Sequence, residues 1–200
     1  DGSVYAWGYN VNGELGVGDT TTRLTPTKTQ FTGITQITAG QNHTVALDEE
    51  GNVWTVGYNN FGQLGIGNRT STSTPQKILS TGAKEVACGR RHTVVLKTDG
   101  TVWVTGYNGD TGLGNHYYVL GLGGSGSSYR DGSFSLNGTT YYIHKLRQMR
   151  GTNTSTYITD GDHISANGDV TYVTSQAGGM YTVGVNNYGG LFTGNATKYY

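Results

Sequence analysis

Histidine, cysteine and aspartate are the residues here that could carry chemistry, and their spacing assigns them other work. The five histidines do not cluster at metal-ligating spacings. His43 and His92 sit at the same place in two related stretches, as fixed structural histidines would, while His116, His144 and His163 are isolated. The single cysteine, Cys88, stands where Ala39 stands in the related stretch, so it reads as a small buried residue rather than a nucleophile. One cysteine allows no disulfide within the chain, which leaves the compartment open. Asp48, Asp99 and Asp160 precede or occupy hairpin turns, where turn chemistry accounts for them. GLGGSGSS at 121–128 has the glycine content of a phosphate loop, but no GK[ST] or strand–loop–helix context follows, so it reads as a flexible loop. No catalytic residue, metal ligand or cofactor is assigned.

Binding residues are easier to nominate. HKLRQMR at 144–150 is locally basic, as is the pair Arg90 and Arg91, and each reads first as a solvated face. Tyrosine is abundant, at fifteen residues, and several fall outside the regular stretches. Tyr117, Tyr118, Tyr129, Tyr141 and Tyr142, with Arg130, form the candidate binding set. Tyr offers rigid amphipathic area for stacking on sugars or proteins, and its bland alternative is packing against the body of the fold. N-x-[ST] triplets occur at Asn42, Asn68, Asn137, Asn153 and Asn195. About three would arise by chance in a chain this rich in Thr and Ser, so glycosylation does not follow from their number.

The elements that must position these residues are written in a repeat. AGQNHTVALDEEGNVWTVGYN from Ala39 returns as CGRRHTVVLKTDGTVWVTGYN from Cys88, each shared residue displaced by 49, and the chain opens inside a further copy at Asp1-Gly2. Each copy predicts a His-Thr-Val strand, a Glu-Gly or Asp-Gly turn and a second strand of β-branched and aromatic residues, which fit a pleated, largely buried surface. Trp54 and Trp103 are expected in equivalent buried places. No segment carries a sustained 3.6-residue period, so no long helix is expected. A unit of this size holds about four short strands and must stack on its neighbours, which points to β-propeller blades.

GQNHTVAL, GNVWTVGYN and GQLGIG closely resemble the repeat of the RCC1 (regulator of chromosome condensation) family. The resemblance covers residues 1–115 and implies a propeller, usually of seven blades. The expected fold is therefore all-β: RCC1-like β-propeller blades, a partial propeller or part of a larger one, with a Gly/Ser/Tyr-rich insertion.

Beyond Asn115 the match decays, giving three segments: regular blades at 1–115, an insertion or degenerate blade at 116–148, and degenerate blades at 149–200. MRGTNTSTYITDG at 149–161 reads as a weak copy of the Gly40–Gly51 stretch, with Thr154 in the histidine place. AGGMYTVGVNNYGGLFTG at 177–194 reads as another, with Tyr181 in the histidine place and Phe192 in the tryptophan place, because Gly178 to Gly189 keeps the spacing of Gly40 to Gly51. A rival register aligns GVNNYGGLFTGN with GYNNFGQLGIGN. Since Gly89 to Gly178 is not a multiple of 49, extra residues are expected, chiefly at 115–142.

Composition bounds the function. Net charge is zero and only 13% of residues are charged, so bulk electrostatics favours no nucleic-acid partner, and no apolar run predicts membrane insertion. The absence of an initiator Met suggests a piece of a longer polypeptide. Three functional classes follow, in order. The first is a non-enzymatic structural or adhesive module of a virion appendage such as a phage tail fibre or spike. Its partners would be other structural chains or a host-surface receptor or glycan. The second is a secreted or cell-surface bacterial propeller that binds protein or glycan. The third is a guanine-nucleotide exchange factor for a small GTPase, as the founding member of the family is. No residue-by-residue match to exchange loops is present, and fold alone does not carry that activity.

Overall fold

The computed structural model describes residues 2–110, 119–122, 134–137, 140–151 and 156–185, with the backbone alone for 110, 134–137, 140 and 141. These residues contain strands and no helix. The strands are β1 (Tyr5–Gly8), β2 (Arg23–Lys28), β3 (Ile34–Ala39), β4 (His43–Asp48), β5 (Val53–Gly57), β6 (Thr72–Leu79) and β7 (Ala83–Cys88). They continue with β8 (His92–Lys97), β9 (Val102–Asp110), β10 (Phe134–Asn137), β11 (Thr140–Gln148), β12 (Gly161–Asn167), β13 (Val170–Ser175) and β14 (Met180–Gly184). They form four antiparallel sheets: β1-β2, β3-β4-β5-β6, β7-β8-β9-β11-β10 and β12-β13-β14. The architecture is all-β, a set of partial propeller blades.

Pairing fixes the repeat register. His43 pairs Gly57 and Ala46 pairs Trp54 in the second sheet; His92 pairs Gly106 and Val95 pairs Trp103 in the third. Gly8 pairs Arg23 as Gly57 pairs Thr72, so β1 and β2 are the third and fourth strands of a unit. Interior positions are filled by Val45, Ala46, Val53 and Val56 in one unit and by Val94, Val95, Leu96, Val102 and Val104 in the next, all fully buried. β-Branched side chains suit such a surface, buried on both faces between stacked sheets. The two tryptophans do share one register place, but both are half-buried rather than buried. Each ring carries a lysine ammonium, Lys77 4.9 Å from the Trp54 centroid and Lys97 5.9 Å from that of Trp103, which keeps one side of the ring at the solvent boundary.

The fourth sheet corrects the weak copies. Val170 pairs Gly184 and Val173 pairs Tyr181, so Val170 takes the histidine place and Tyr181 the tryptophan place. This is the rival register: Gly184 matches Gly57, and Gly178, at φ +88°, is the hairpin glycine matching Gly51 and Gly100, both at +78°. Spacing between glycines misled because two different pairs in the repeat give the same interval. The segment 149–161 is also not a histidine-bearing copy. Met149 N donates to Val102 O and Arg150 bridges Tyr157, so the described part of this stretch lies between β11 and β12, while Thr154 and Phe192 lie outside the described residues.

His92 to Val170 spans 78 residues, 29 more than the 49-residue period. The addition is divided. Gly57 to its partner Thr72 spans 15 residues, Gly106 to its partner Ile143 spans 37, so 22 extra residues lie there and the other 7 between β11 and β12. β10 hangs on the outside of β11, while β11 itself fills the fourth-strand place of its sheet.

Candidate functional site

Neighbouring sheets are joined through a repeated buried bond. His43 Nε2 lies 3.1 Å from Thr93 Oγ1, and Thr93 Oγ1 donates to Gln63 O at 2.7 Å. The threonine proton is committed to that carbonyl, so the oxygen accepts and His43 Nε2 carries the hydrogen. At the next seam His92 Nε2 lies 2.8 Å from Thr171 Oγ1. Thr44 Oγ1, in the place of Thr93, donates to Glu14 O at 2.8 Å. Each ring rests on a glycine: a methyl added at Gly40 would overlap Cε1 and Nδ1 of His43, and one at Gly89 would overlap the ring of His92. This is the physical content of the Gly-x-x-His-Thr motif. Burial holds both imidazoles neutral, His43 down to about 3 and His92 to about 4. They are joints between sheets, occupied on Nε2, and not bases turned toward a substrate.

The other candidate reactive groups are likewise engaged. Burial pushes the Cys88 thiol up to about 12, leaving no thiolate at neutral pH. Burial tends to raise the Asp48 carboxyl, but hydrogen bonds from Trp54, Asn52 and the turn backbone outweigh it and hold the group below the ordinary range. Asp160 accepts from Ser175 Oγ and Tyr181 Oη. Among the described residues no three His, Cys, Asp or Glu side chains converge on a metal position. A cavity of about 370 Å³ between β1 and β3 is lined by Tyr5, Trp7, Phe31 and Ile37.

One end of the sheets carries a different group of residues. There Arg91 lies with its guanidinium 4.8 Å from the Phe61 ring centroid and 5.4 Å from that of Tyr107. Phe61 packs edge-on against Tyr107 at 5.6 Å and Tyr58 at 6.1 Å. Tyr107 is the cross-strand partner of Tyr142, over whose ring the exposed Arg69 lies at 4.5 Å. Lys145 and Arg90 are exposed at the same end, Lys145 against Gly67 and Arg90 donating to Gln41 at 3.2 Å. His144 is lowered by burial first, then by the Lys145 and Arg69 charges. None of Arg69, Arg90, Arg91 or Lys145 pairs with a carboxylate among the described residues. The strip Arg91–Phe61–Tyr107–Tyr142–Arg69 is therefore electropositive and framed by aromatic rings.

Of the tyrosines nominated from sequence, Tyr117, Tyr118 and Tyr129, with Arg130, lie outside the described residues. Tyr141 lies in β11, paired with Gly109. Tyr142 is 2% exposed and serves as the floor beneath Arg69, so its ring is not a free contact face. Sequence reading passed over Phe61, Tyr107 and Arg69 and set Arg91 aside as solvated. The available signal was that positions 42 and 91 match in the repeat yet hold Asn and Arg.

The fold and these seams define partial β-propeller blades joined by a repeated motif. Models of the regulator of chromosome condensation (RCC1) repeat match residues 1–47 and 50–96, and a second model of that repeat matches 34–63 and 83–110. The chain belongs to the RCC1 repeat family. The Arabidopsis thaliana ultraviolet-B receptor UVR8 is 48% identical over 54 residues, 26% of this chain and 12% of the receptor. Prp20p of Saccharomyces cerevisiae, whose structure was determined with its binding to Gsp1p and histones, superposes with a TM-score of 0.75 at 17% identity, covering 96% of this chain and 43% of that one. Yeast RCC1 (Prp20) bound to Kap60 gives 0.72 at 18%, covering 93% and 40%, and human WBSCR16 gives 0.67 at 21%, covering 93% and 44%. At these identities the structural likeness concerns the fold alone, and the chain spans under half the length of each of these proteins.

Proposed function

We propose that this chain is a non-enzymatic binding module whose propeller blades present one variable end to other protein chains. The observation that carries the reading is the cation–aromatic strip, with Arg69 exposed and Arg91 half-buried, set on a frame whose seam histidines and threonines are engaged in joining the sheets. Relatives point the same way: Prp20p is described with Gsp1p and histones, and with Kap60. The setting we favour is a virion appendage, a phage tail fibre, spike or related structural protein, acting in assembly or host-surface attachment, with structural chains or a surface receptor or glycan as partners. The low charge and the Gly-, Thr-, Asn- and Tyr-rich composition support it. The alternatives are a secreted or cell-surface bacterial propeller and, third, an exchange factor for a small GTPase.

Fractionation of the source with an antibody against the regular blades separates these settings. Recovery in purified particles supports the virion reading, and recovery on cell envelopes or in the medium supports the second. Recovery with soluble protein that accelerates nucleotide release from a GTPase would replace both by the third.

A further inference from the structure

We infer that the strip Arg91–Phe61–Tyr107–Tyr142–Arg69 is a docking surface for an acidic polypeptide segment, one that presents carboxylates to the two guanidiniums. The inference deepens the binding reading above by naming the partner's chemistry.

Three features select carboxylates on a polypeptide. First, none of Arg69, Arg90, Arg91 and Lys145 pairs with a carboxylate among the described residues. Such a cluster of cations on a chain of zero net charge is a local feature that complements a local negative charge. Second, each guanidinium lies over a ring, Arg91 4.8 Å from the Phe61 centroid and Arg69 4.5 Å from that of Tyr142. A guanidinium held against a ring keeps N–H donors for a partner, and its planar fork matches a carboxylate in two parallel hydrogen bonds. Third, the ring faces are already covered. Neutral sugars and nucleobases bind aromatic side chains by stacking on bare faces. Phe61 and Tyr142 each give a face to an arginine, so the strip presents charge framed by ring edges. A phosphate backbone would also be drawn to cations, but the chain as a whole has no excess of basic residues to track it.

The test is direct binding to the full chain, with a fluorescent oligoglutamate peptide as probe. A Gly/Ser peptide, oligolysine and single-stranded DNA of similar length serve as comparators. We expect saturable binding of oligoglutamate alone. Arg69→Ala and Arg91→Ala should each weaken it about tenfold, about 1.4 kcal/mol each. Arg91→Lys should fail to restore it, because an ammonium keeps the charge and loses the planar fork. Arg23→Ala, outside the strip, should leave it unchanged. Thermal melts close to the parent's show that the variants fold; Arg69 is exposed and Arg91 half-buried, so only a small shift is expected there. Binding that survives the double substitution, or that Arg91→Lys restores in full, would overturn the inference. So would DNA binding stronger than oligoglutamate binding. If oligoglutamate does not bind while the chain is still recovered in particles or on envelopes, the carboxylate inference fails and the general binding reading stands.

Discussion

Two seams of this molecule share one frame and differ in surface chemistry. At the seam between the first and second units, Asn12, Glu14 and Asn42 meet: Glu14 accepts from the Asn12 backbone at 2.9 Å and its side chain at 2.7 Å, and from Asn42 Nδ2 at 3.5 Å. At the next seam the same repeat positions hold Phe61, Gln63 and Arg91. Gln63 keeps the turn bond, accepting from Phe61 N at 3.0 Å, but the guanidinium now lies on rings instead of facing a carboxylate. Beneath both seams the threonine-to-carbonyl bonds of Thr44 and Thr93 match in place and length. The buried layer is held constant while the layer above it differs at three positions, as expected where loops carry function on a rigid scaffold.

The buried layer should respond most strongly, and to pH. His43 and His92 are neutral in the fold, pushed down to about 3 and about 4 from an ordinary 6.5. Between those values the unfolded chain binds more protons than the folded one, so stability is full above pH 6.5 and falls as pH drops toward 4. Each ring should forfeit about 2 kcal/mol between pH 7 and pH 5, about 4 kcal/mol together. Asp48 and Asp99 lie below 3.8 in the fold and act only in stronger acid, whereas His144, also lowered by burial, adds to the loss in the same window, so the comparison is made in a His144→Gln background. Denaturant midpoints at pH 7, 6 and 5 check it. Unchanged midpoints would mean that the rings are not buried at the seams.

The glycine under each ring comes next. Gly89→Ala places a methyl on the His92 ring, which is locked by Thr171 and cannot withdraw without losing its bond. A loss of about 2–3 kcal/mol is expected in a thermal or denaturant melt, the scale of overpacking a filled interior. Trp103→Ala should cost about 2 kcal/mol, below the range for a fully buried aromatic, because the ring is half-buried.

The fourth unit varies histidine and glycine together. Val170 stands in the histidine place, and the glycine place, by the same register, holds Asn167, which pairs Val170. Val170→His alone should destabilise by about 1–2 kcal/mol, because a ring in that rotamer meets the Asn167 Cβ. Adding Asn167→Gly should recover about 1 kcal/mol, a coupling a double-mutant cycle can read. Independent effects would break the link between the two motif positions.

The frame was open to sequence reading because repetition exposes it. His43 and His92, the Asp-Gly turn and the β-branched strands recur at a fixed interval, and each has a local reason. The register of Gly178–Gly184 was not, since short Gly-rich motifs align in more than one way and only the pairing of Val173 with Tyr181 decides between them. Nor was the half-exposure of Trp54 and Trp103, which depends on Lys77 and Lys97 covering the rings. The cation–aromatic strip was the least legible part. It joins Phe61, Arg91, Tyr107 and Tyr142 across two sheets, so the feature exists only once the seam is closed.

The smallest expected effect tests the variable layer. Arg91→Asn gives the second seam the residue of the first, removing one guanidinium from two rings. An exposed cation–π contact contributes about 0.5–1 kcal/mol, so the melt should fall by no more than that. Coupling with Phe61 should show in a cycle with Phe61→Asn, the residue at the matching place of the first seam. If the double variant is as stable as either single one, the two side chains act as a unit and the surface layer is separable from the buried ladder beneath it. A loss of several kcal/mol for Arg91→Asn alone would instead make the guanidinium part of the joint between sheets, and the division of this molecule into a constant frame and a variable face would not hold.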